Sequence, residues 1–243
     1  MSETRGSGAV RDGFRIVTVT PALDEAESVA AVLDAVPAWV DQRIVVDNGS
    51  TDGTGARAAE AGAAVVVEPR RGYGRACLSG LAQPAAREAD VIVFLDADFA
   101  DDPTEMAALV DPILSGEADL VIGSRLLGGA EPGALTPLQR FGNGLACTLM
   151  RWIWGAHFTD LGPFRAIRRS ALDRIGMCDP DFGWTVEMQL KALRHGLAVR
   201  EAPTRYRKRA RGVSKVSGTL SGSLKAGTKI LYLVARSVFE RRV

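Results

Sequence analysis

The 243-residue sequence predicts one α/β domain built around a mostly parallel central sheet. In its first half, four short β-branched or apolar segments are each followed by a segment of helical character, which is typical of parallel strands joined by crossover helices. Each of the four segments also stops at polar or turn-forming residues. Since the carboxyl ends of parallel strands share one edge of a sheet, ligand-binding side chains are expected to collect there.

Apolar sequence predicts the first four strands at residues 14–20, 43–46, 64–67 and 91–95, and Pro21 is expected to end the first of them. Turn formers and potential helix caps lie between these strands. They predict helices from Asp24 or Glu25 to Ala35, from Asp52 or Thr54 to Gly62, from Ala76 to Glu88, and from Asp102-Pro103 to about Leu114.

The second half is expected to add a fifth strand at 119–122, a short strand within 159–168 and an edge strand at 198–201. Helices are predicted at 136–154 and 184–195. The first of these carries an apolar stripe, which by default packs in the core or lines a groove. The stripe consists of Leu138, Phe141, Leu145, Leu149 and Trp152.

The two ends of the chain differ in character from the middle. Residues 1–13 mix Ser, Gly and charge and are expected to be a disordered lead. The tail at 220–243 has apolar residues at helical spacing and a basic face, which predicts an amphipathic helix. That helix could lie on a membrane, close the core or form a homodimer. The folded domain is therefore expected at 14–219.

Charge and cysteine content restrict the class of protein. Lys plus Arg (30) nearly balance Asp plus Glu (29), so a nucleic-acid partner is not indicated. Acids concentrate before residue 120 and bases at 200–215, which suggests a cation site in one half and a phosphate site in the other. Three scattered cysteines predict buried thiols in a reducing compartment. With no evident secretory signal or spanning run, we expect a cytoplasmic protein, optionally peripheral at the inner face of the membrane.

The strongest chemical signal is the end of the fourth predicted strand, where an apolar run is followed by four aspartates. Asp96 and Asp98 flank only Ala97, so both carboxylates can converge on one hard cation, Mg²⁺ or Mn²⁺, with substrate phosphates completing the shell. A solvated turn is the alternative. Asp101 and Asp102 are expected to cap the following helix.

Four motifs at successive strand ends resemble family-2 glycosyltransferases with a GT-A fold: TPALDEAES (20–28), VVDNGSTDGT (45–54), RGYGRACLSG (71–80) and FLDADF (94–99). The resemblance implies a Rossmann-like sheet with a nucleotide-sugar half at 14–125, an acceptor half at 126–219 and a metal-binding DxD motif at Asp96 and Asp98. It implies that Asp47 binds the base and that Arg75 lies near base and ribose. The implied nucleotide-sugar contacts are Pro21, Ala22, Asp24, Glu25, Asp47, Arg75, Asp96, Ala97 and Asp98. Asp24, Glu25 and Asp47 could instead serve as caps.

Further motifs resemble the polyprenol-phosphate sugar synthases, the dolichol-phosphate mannose synthase-like branch: ADLVIGSR (118–125), Asp160 with GPFRAI (162–167), VEM (186–188) and RGVSK (211–215). Basic residues of that branch bind phosphates, and arginine and lysine suit this task chemically. The implied phosphate and acceptor ligands are Arg125, Arg140, Arg211, Ser214 and Lys215. The other charges at 205–211 are expected to be solvated or to face a membrane.

Together these resemblances imply an inverting transfer of a hexose from a UDP- or GDP-sugar to an acceptor, most simply polyprenyl phosphate. Its phosphate is already anionic, so no strong base is needed, whereas a hydroxyl acceptor would need Asp160, Asp181 or Glu187 as base. Asp98, Asp160 and Glu187 are the candidate catalytic residues. Two alternatives stay open: a soluble hexosyltransferase acting on a hydroxyl of a small molecule or glycan, and a non-catalytic nucleotide-sugar-binding module. Membrane contact is expected through 205–215 and 220–243.

Overall fold

The computed structural model describes residues 11, 13–208, 229, 232, 233 and 237. Most of the predicted N-terminal lead, the RGVSK segment with Arg211, Ser214 and Lys215, and most of the predicted C-terminal helix lie outside the described residues. The domain boundaries at 13 and 219 therefore stay predictions. Within the described residues no helix is both long and apolar enough to cross a membrane.

Seven strands form a single sheet, as the alternation of strands and helices predicts. They are β1 (Ile16–Ala22), β2 (Gln42–Asp47), β3 (Ala64–Val67), β4 (Val91–Phe94), β5 (Leu120–Ser124), β6 (Arg165–Arg168) and β7 (Val199–Pro203). The spatial order is β3-β2-β1-β4-β6-β5-β7, and only β6 runs antiparallel to its neighbours. The predicted mostly parallel α/β fold is confirmed.

Eight helices of the described chain flank this sheet. They are α1 (Val29–Ala35), α2 (Thr54–Glu60), α3 (Tyr73–Leu81), α4 (Pro84–Arg87), α5 (Met106–Leu114), α6 (Pro137–Trp154), α7 (Arg169–Ile175) and α8 (Trp184–Arg194). A short 3₁₀ turn, Pro103–Glu105, precedes α5. Helix α6 begins with a complete capping box between Thr136 and Gln139 and ends at Gly155 in the left-handed conformation.

Strand β4 is buried on both faces, which explains its uninterrupted apolar sequence. Val91 and Val93 pack into the hydrophobic cluster on one side of the sheet. Ile92 and Phe94 pack into the cluster on the other side. Phe94 also contacts Trp184 of α8 edge to face, with ring centroids 5.7 Å apart. The acidic turn that follows β4 is thus anchored by a strand that is buried on both faces.

Three predicted boundaries are wrong for identifiable reasons. Strand β1 continues through Pro21. Strand β4 pairs with β1 only as far as Val19, so the N–H that proline lacks costs no hydrogen bond to β4. Helix α1 starts at Val29, so Asp24 is not in its first turn. The helix predicted to reach Glu88 stops at Leu81 and restarts at Pro84, since proline cannot continue a helix. Helix α7 was not predicted.

The predicted apolar stripe of α6 is divided between core and surface, since Leu149 packs against the core cluster while other members are exposed. Phe141 is 68% exposed and Trp152 is 78% exposed. The side facing the core carries smaller residues, Ala146 and Cys147, together with Met150. Leu138, Phe141 and Trp152 therefore face outward. Leu149, Ile153 and Trp154 instead pack against the core.

Candidate active site

The candidate site lies at the carboxyl ends of β1, β2 and β4. Strand β1 lies between β2 and β4, with β2 and β3 on one side of it and β4 on the other. Open α/β sheets form their ligand crevice where the strand order switches in this way, outside the carboxyl ends of the strands. Asp47 ends β2, Ala22 ends β1, and Asp96 follows β4. The nucleotide-sugar residues implied by the resemblance are thereby brought to one edge of the sheet.

The turn after β4 holds its first two aspartates in defined positions. Asp98 is 4% exposed, and its Oδ1 accepts the Ala100 amide at 2.9 Å. Tyr73 donates its hydroxyl to Asp96 Oδ1 at 2.9 Å. Burial, followed by the charge of Asp96, raises the pKa of Tyr73, so this hydroxyl keeps its proton as a donor. Phe99 has a φ of 59°, a backbone conformation rare outside glycine, which turns the chain sharply behind Asp98.

The neighbouring acids, Asp101 and Asp102, differ from each other. Asp102 caps the 3₁₀ turn as predicted, since its side chain accepts the Thr104 amide at 3.1 Å. Asp101 does not cap it: the residue is 2% exposed and neither carboxylate oxygen accepts a hydrogen bond. Burial raises the pKa of Asp101 well above its ordinary value; the Arg125 charge opposes this shift, and the charges of Asp96 and Asp98 add to it. Asp101 thus belongs to the acidic cluster.

This concentration of negative charge fits a divalent cation. Asp96 and Asp98 supply oxygen donors of the type that Mg²⁺ and Mn²⁺ prefer, and the repulsion felt by Asp101 is what a cation would relieve. In the described part of the chain, no group of three or more His, Cys, Asp or Glu side chains is arranged to hold a metal. Two carboxylates suffice where substrate phosphates complete the shell.

The loops after β1 and β2 interlock and form the wall expected to bind the nucleoside. Asp24 Oδ1 accepts the Thr51 amide at 2.8 Å, and Asp52 Oδ2 accepts the Ala26 amide at 3.0 Å. Glu25 donates its amide to Thr54 Oγ1 at 2.8 Å. Asp24 has a φ of 51° and, with Phe99, is one of two non-glycine residues with positive φ in the described chain. The Asp24 carboxylate therefore joins the two loops.

Asp47 makes the capping contact that was the alternative to its predicted role in base binding. Its Oδ1 accepts the Ser50 amide at 2.8 Å and closes the turn before α2. A role in base recognition stays a prediction. The next residue, Asn48, was not predicted as a site residue: its Nδ2 donates to Glu68 O and Arg70 O, and its Oδ1 accepts the Gly72 amide at 2.8 Å. Asn48 therefore fixes the start of α3 relative to β2.

A loop at 178–183 closes over the start of α3. Arg75 donates its amide to Pro180 O at 2.9 Å, and a Cβ at Gly74 would overlap the Asp179 carbonyl oxygen, so only glycine fits there. Asp179 also pairs with Lys229 at 2.9 Å. This loop thus fixes the backbone of Arg75, for which the resemblance implies contacts to base and ribose.

Arg125 and Asp160, predicted as phosphate ligand and base, lie together as an ion pair in which each side chain binds the other. Arg125 Nε donates to Asp160 Oδ2 at 2.8 Å and its Nη2 donates to Oδ1 at 2.6 Å, a bidentate pair. Burial opposes the charge on Arg125, yet the Asp160 hydrogen bonds and charge outweigh it and raise the pKa of Arg125. Asp160 is fully buried, and its oxygens also accept the amides of Arg125 and Leu161. Asp160 is thus a structural partner of Arg125.

The described start of the basic segment lies against the acidic turn. Arg207 donates its amide to Ala100 O at 2.8 Å, and Asp101 and Tyr206 form an antiparallel bridge. The side chains of Arg205 and Arg207 are 59% and 38% exposed, in line with the expected solvation, and both are also ion-paired. Arg207 pairs with Asp102 at 2.6 Å, and Arg205 pairs with Asp102 at 3.1 Å as well as with Glu105. Residues 205–207 therefore lie beside the turn that carries Asp98.

Glu187 and Arg140 are the two remaining predicted site residues within the described chain. Glu187 on α8 accepts the Asp179 amide at 2.8 Å and pairs with Lys191 at 2.8 Å, so its carboxylate supports the 178–183 loop. Cys178 is exposed, contrary to the expectation of three buried thiols, and its S–H donates to Glu187 at 3.0 Å. Arg140 is exposed on α6.

The sequence of the whole chain is similar to known enzymes. It is 38% identical over 213 residues to an uncharacterized glycosyltransferase of Mycobacterium tuberculosis, covering 87% of this chain and 94% of that protein. It is 32% identical over 230 residues to the polyprenol monophosphomannose synthase of Mycolicibacterium smegmatis, covering 86% and 84%.

A solved structure with a similar fold holds ligands. Glucosyl-3-phosphoglycerate synthase from Mycobacterium tuberculosis, in complex with Mn²⁺, UDP-glucose and phosphoglyceric acid, superposes with a TM-score of 0.72 at 26% identity, covering 93% of this chain and 82% of that one. The family model for glycosyl transferase family 2 matches residues 18–176. These residues run from within β1 through β6 and include the acidic turn. The chain therefore belongs to glycosyltransferase family 2.

Proposed function

We propose that this glycosyltransferase moves a hexose, with inversion, from a UDP- or GDP-sugar to polyprenyl phosphate. Two relatives support the two halves of the proposal. The structural neighbour was crystallised with UDP-glucose and Mn²⁺, and the mycobacterial relative is named for a polyprenol product. Base recognition would fall to Asp47, with Arg75 near the ribose, and the base imide of either uracil or guanine offers a donor to a carboxylate.

A divalent cation, Mg²⁺ or Mn²⁺, would be held by Asp96 and Asp98 and would supply the Lewis acidity that neutralises the leaving diphosphate. The chain itself prepares these two ligands. The Tyr73 hydroxyl orients Asp96, and the Ala100 amide holds Asp98. Catalysis would then depend mainly on positioning and charge stabilisation.

The proposal for the acceptor rests on the contacts of the candidate bases, because other groups of the protein already bind them. A hydroxyl acceptor needs a group to remove its proton, yet Asp160 is bound by Arg125 and Glu187 is bound by Lys191 and the loop amides. Asp181 lies beside Gly72 on the nucleotide side. A polyprenyl phosphate brings its own anionic oxygen and needs none of these bases. Arg140, Arg211, Ser214 and Lys215 remain the proposed ligands of its phosphate, with Arg125 held in place by Asp160.

The test is transfer of radiolabelled hexose from UDP- and GDP-sugars to undecaprenyl phosphate in detergent by the full chain. We expect an organic-extractable product that requires Mg²⁺ or Mn²⁺ and disappears with excess EDTA. Normal turnover in EDTA would contradict the metal. A thermal shift with a nucleotide sugar, without transfer or donor hydrolysis, would instead support a non-catalytic binding module.

A second candidate, transfer to a hydroxyl of a small phosphorylated acceptor, is supported by the phosphoglyceric acid complex of the structural neighbour. In this chain it would require a base such as Asp101, the buried carboxyl of the acidic cluster that accepts no hydrogen bond. A water-soluble labelled product with 3-phosphoglycerate, lost in Asp101→Asn, would favour this candidate. An extractable lipid product that persists in the same variant would favour polyprenyl phosphate.

A further inference from the structure

The loop at 178–183 is shaped by its own hydrogen bonds and by α8. Glu187 of α8 accepts the amides of Cys178 and Asp179, the second of them at 2.8 Å. Asp179 Oδ1 in turn accepts the amides of Asp181 and Gly183, at 2.9 and 3.1 Å. These contacts close the loop immediately before α8 without any help from the rest of the chain.

The C-terminal segment contacts this loop from outside. Lys229 Nζ lies 2.9 Å from Asp179 Oδ2, the carboxylate oxygen that the two loop amides do not use. The Asp179 side chain is 4% exposed, and its hydrogen bond raises the pKa of Lys229, so the ammonium group stays charged. Leu233 packs against the cluster that includes Val186 of α8, and a Cβ at Gly183 would overlap its Cδ1. The described helical residues of this segment are Lys229, Tyr232, Leu233 and Ser237.

On its other side the loop holds the first turn of α3. The N-terminus of a helix leaves backbone N–H groups without partners inside the helix. Two of them, in Gly74 and Arg75, donate to carbonyl oxygens of the loop at 3.3 and 2.9 Å. Tyr73 in the same turn donates its hydroxyl to Asp96 at 2.9 Å. One helical turn thus carries Arg75 and the group that orients Asp96, and the loop determines where that turn lies.

We propose that Lys229 and Asp179 are positioning residues for the nucleotide sugar and its cation. Their ion pair fixes the loop against the C-terminal segment, and the loop fixes the turn that carries Tyr73 and Arg75. The inference rests on the proposed function, in which Arg75 and Asp96 bind this donor. Neither Lys229 nor Asp179 needs to touch the substrate, because both act through the loop.

A purely structural role would give a different result. The loop amides and Glu187 already define the shape of the loop, so the ion pair adds a connection to the C-terminal segment. Removing the Lys229 charge should therefore affect donor binding more than folding. Asp98 is held separately by the Ala100 amide, so one proposed cation ligand keeps its position and turnover at saturating donor should be retained.

The test is calorimetric titration of the full chain with UDP and with GDP in the presence of Mn²⁺. Lys229→Met keeps the apolar stem of the side chain and removes its charge. For the nucleotide that the chain binds more tightly, we expect a Kd about three- to tenfold higher, the size of one partly exposed charged hydrogen bond. In transfer assays the KM for the donor should rise by a similar factor, with kcat within about twofold of the unmodified chain.

Two further variants assign the effect to the ion pair. Lys229→Arg keeps the charge and should restore the Kd. Asp179→Asn keeps an oxygen for the loop amides but loses the charge, and it should match Lys229→Met. The double variant should bind no more weakly than either single variant, because both remove the same contact.

Hydrogen exchange tests the structural step in the absence of any ligand. The Gly74 and Arg75 amides should exchange faster in Lys229→Met than in the unmodified chain. Arg15→Gln is the matched control, since it removes a basic side chain from the exposed Arg15–Glu88 pair at the amino end of β1, the opposite edge of the sheet from the site. It should change neither the exchange of these amides nor the Kd.

The outcome is separable from that of the proposed function. An unchanged Kd in both Lys229→Met and Asp179→Asn would overturn the inference, even if the unmodified chain transfers hexose to polyprenyl phosphate. Faster exchange throughout the domain with a lowered melting temperature, not restored in Lys229→Arg, would overturn it in favour of general folding support. Nucleotide binding and exchange need no acceptor, so the expected changes would support the positioning role even in a chain that makes no lipid product.

Discussion

The two sides of the crevice are built differently. The side proposed to bind the nucleotide, called the nucleotide side below, is a network of short-range contacts, in which Asp24, Asp52 and Asn48 bind backbone amides of neighbouring loops. The side proposed to bind the acceptor, called the acceptor side below, depends on buried charge, where the Arg125–Asp160 pair lies beside the unpartnered carboxyl of Asp101. The first arrangement fixes the shape of a binding wall. The second holds buried charges whose electrostatic balance depends on which ligand is bound. The two sides should therefore respond differently to substitution.

The largest effect is expected at the acidic turn that joins the two sides. Asp98→Ala should reduce turnover by at least roughly 10²–10³-fold, because one electrostatic contact near the leaving diphosphate is lost. Labelled-sugar transfer at saturating donor measures this effect. The unfolding midpoint should change little in comparison, and a variant that retains full turnover would remove Asp98 from the site.

The next effect sharpens the contrast between buried and exposed charge. Asp160→Asn leaves the Arg125 guanidinium buried without its counter-ion and should lower the free energy of unfolding by about 3–5 kcal/mol. Asp173→Asn breaks the exposed Arg169–Asp173 pair on α7 and should cost no more than about 0.5 kcal/mol. Urea denaturation of both variants makes the comparison, and equal losses would contradict the structural role of Asp160.

A smaller effect is expected on the nucleotide side. Gly74→Ala would press a methyl group against the Asp179 carbonyl and should cost roughly 1–3 kcal/mol, with a raised KM for the nucleotide sugar because the 178–183 loop must move. Gly144→Ala on α6, where a Cβ meets nothing within 4 Å, should instead stabilise by about 0.5–1 kcal/mol. Thermal melts and donor titrations measure both changes. A stabilised Gly74→Ala would show that this loop does not pack on α3.

The smallest effect is a pH dependence on the acceptor side. Because the folded-state pKa of Asp101 lies above its ordinary value of 3.8, its contribution to stability is complete below that value and is lost as the pH rises through the folded-state pKa. Asp101→Asn stays neutral and avoids this loss. Without divalent cations, the variant should therefore melt progressively higher than the unmodified chain as the pH rises. A difference that stays constant as the pH rises above the ordinary pKa would contradict the burial of this carboxyl.

The sequence predicts the nucleotide side well because its signals are local. A continuous apolar run followed at once by Asp96 and Asp98 predicts both a doubly buried strand and an acidic turn, and both are confirmed. The turn formers after β2 likewise predict the loop that Asp47 closes. Such features depend on neighbours within a few residues.

The acceptor side depends on contacts that no local pattern encodes. Asp160 pairs with Arg125 across 35 positions, and Arg207 pairs with Asp102 across 105. The adjacent pair Asp101 and Asp102 was expected to act alike, yet one caps a turn and the other is buried. A turn needs only one capping side chain, so the sequence could have indicated that only one of the two adjacent aspartates has this role. On α6 the helical period was correct, but periodicity does not tell which side faces the core.

The bridge between Asp101 and Tyr206 has a consequence for ligand binding. Because segment 204–208 shares backbone hydrogen bonds with the turn behind Asp98, displacing one displaces the other. Thermodynamic reciprocity then requires that whatever factor a cation contributes to acceptor affinity, the acceptor returns to cation affinity. Binding of the acceptor would shift the titration curve of the cation, and binding of the cation would shift the titration curve of the acceptor.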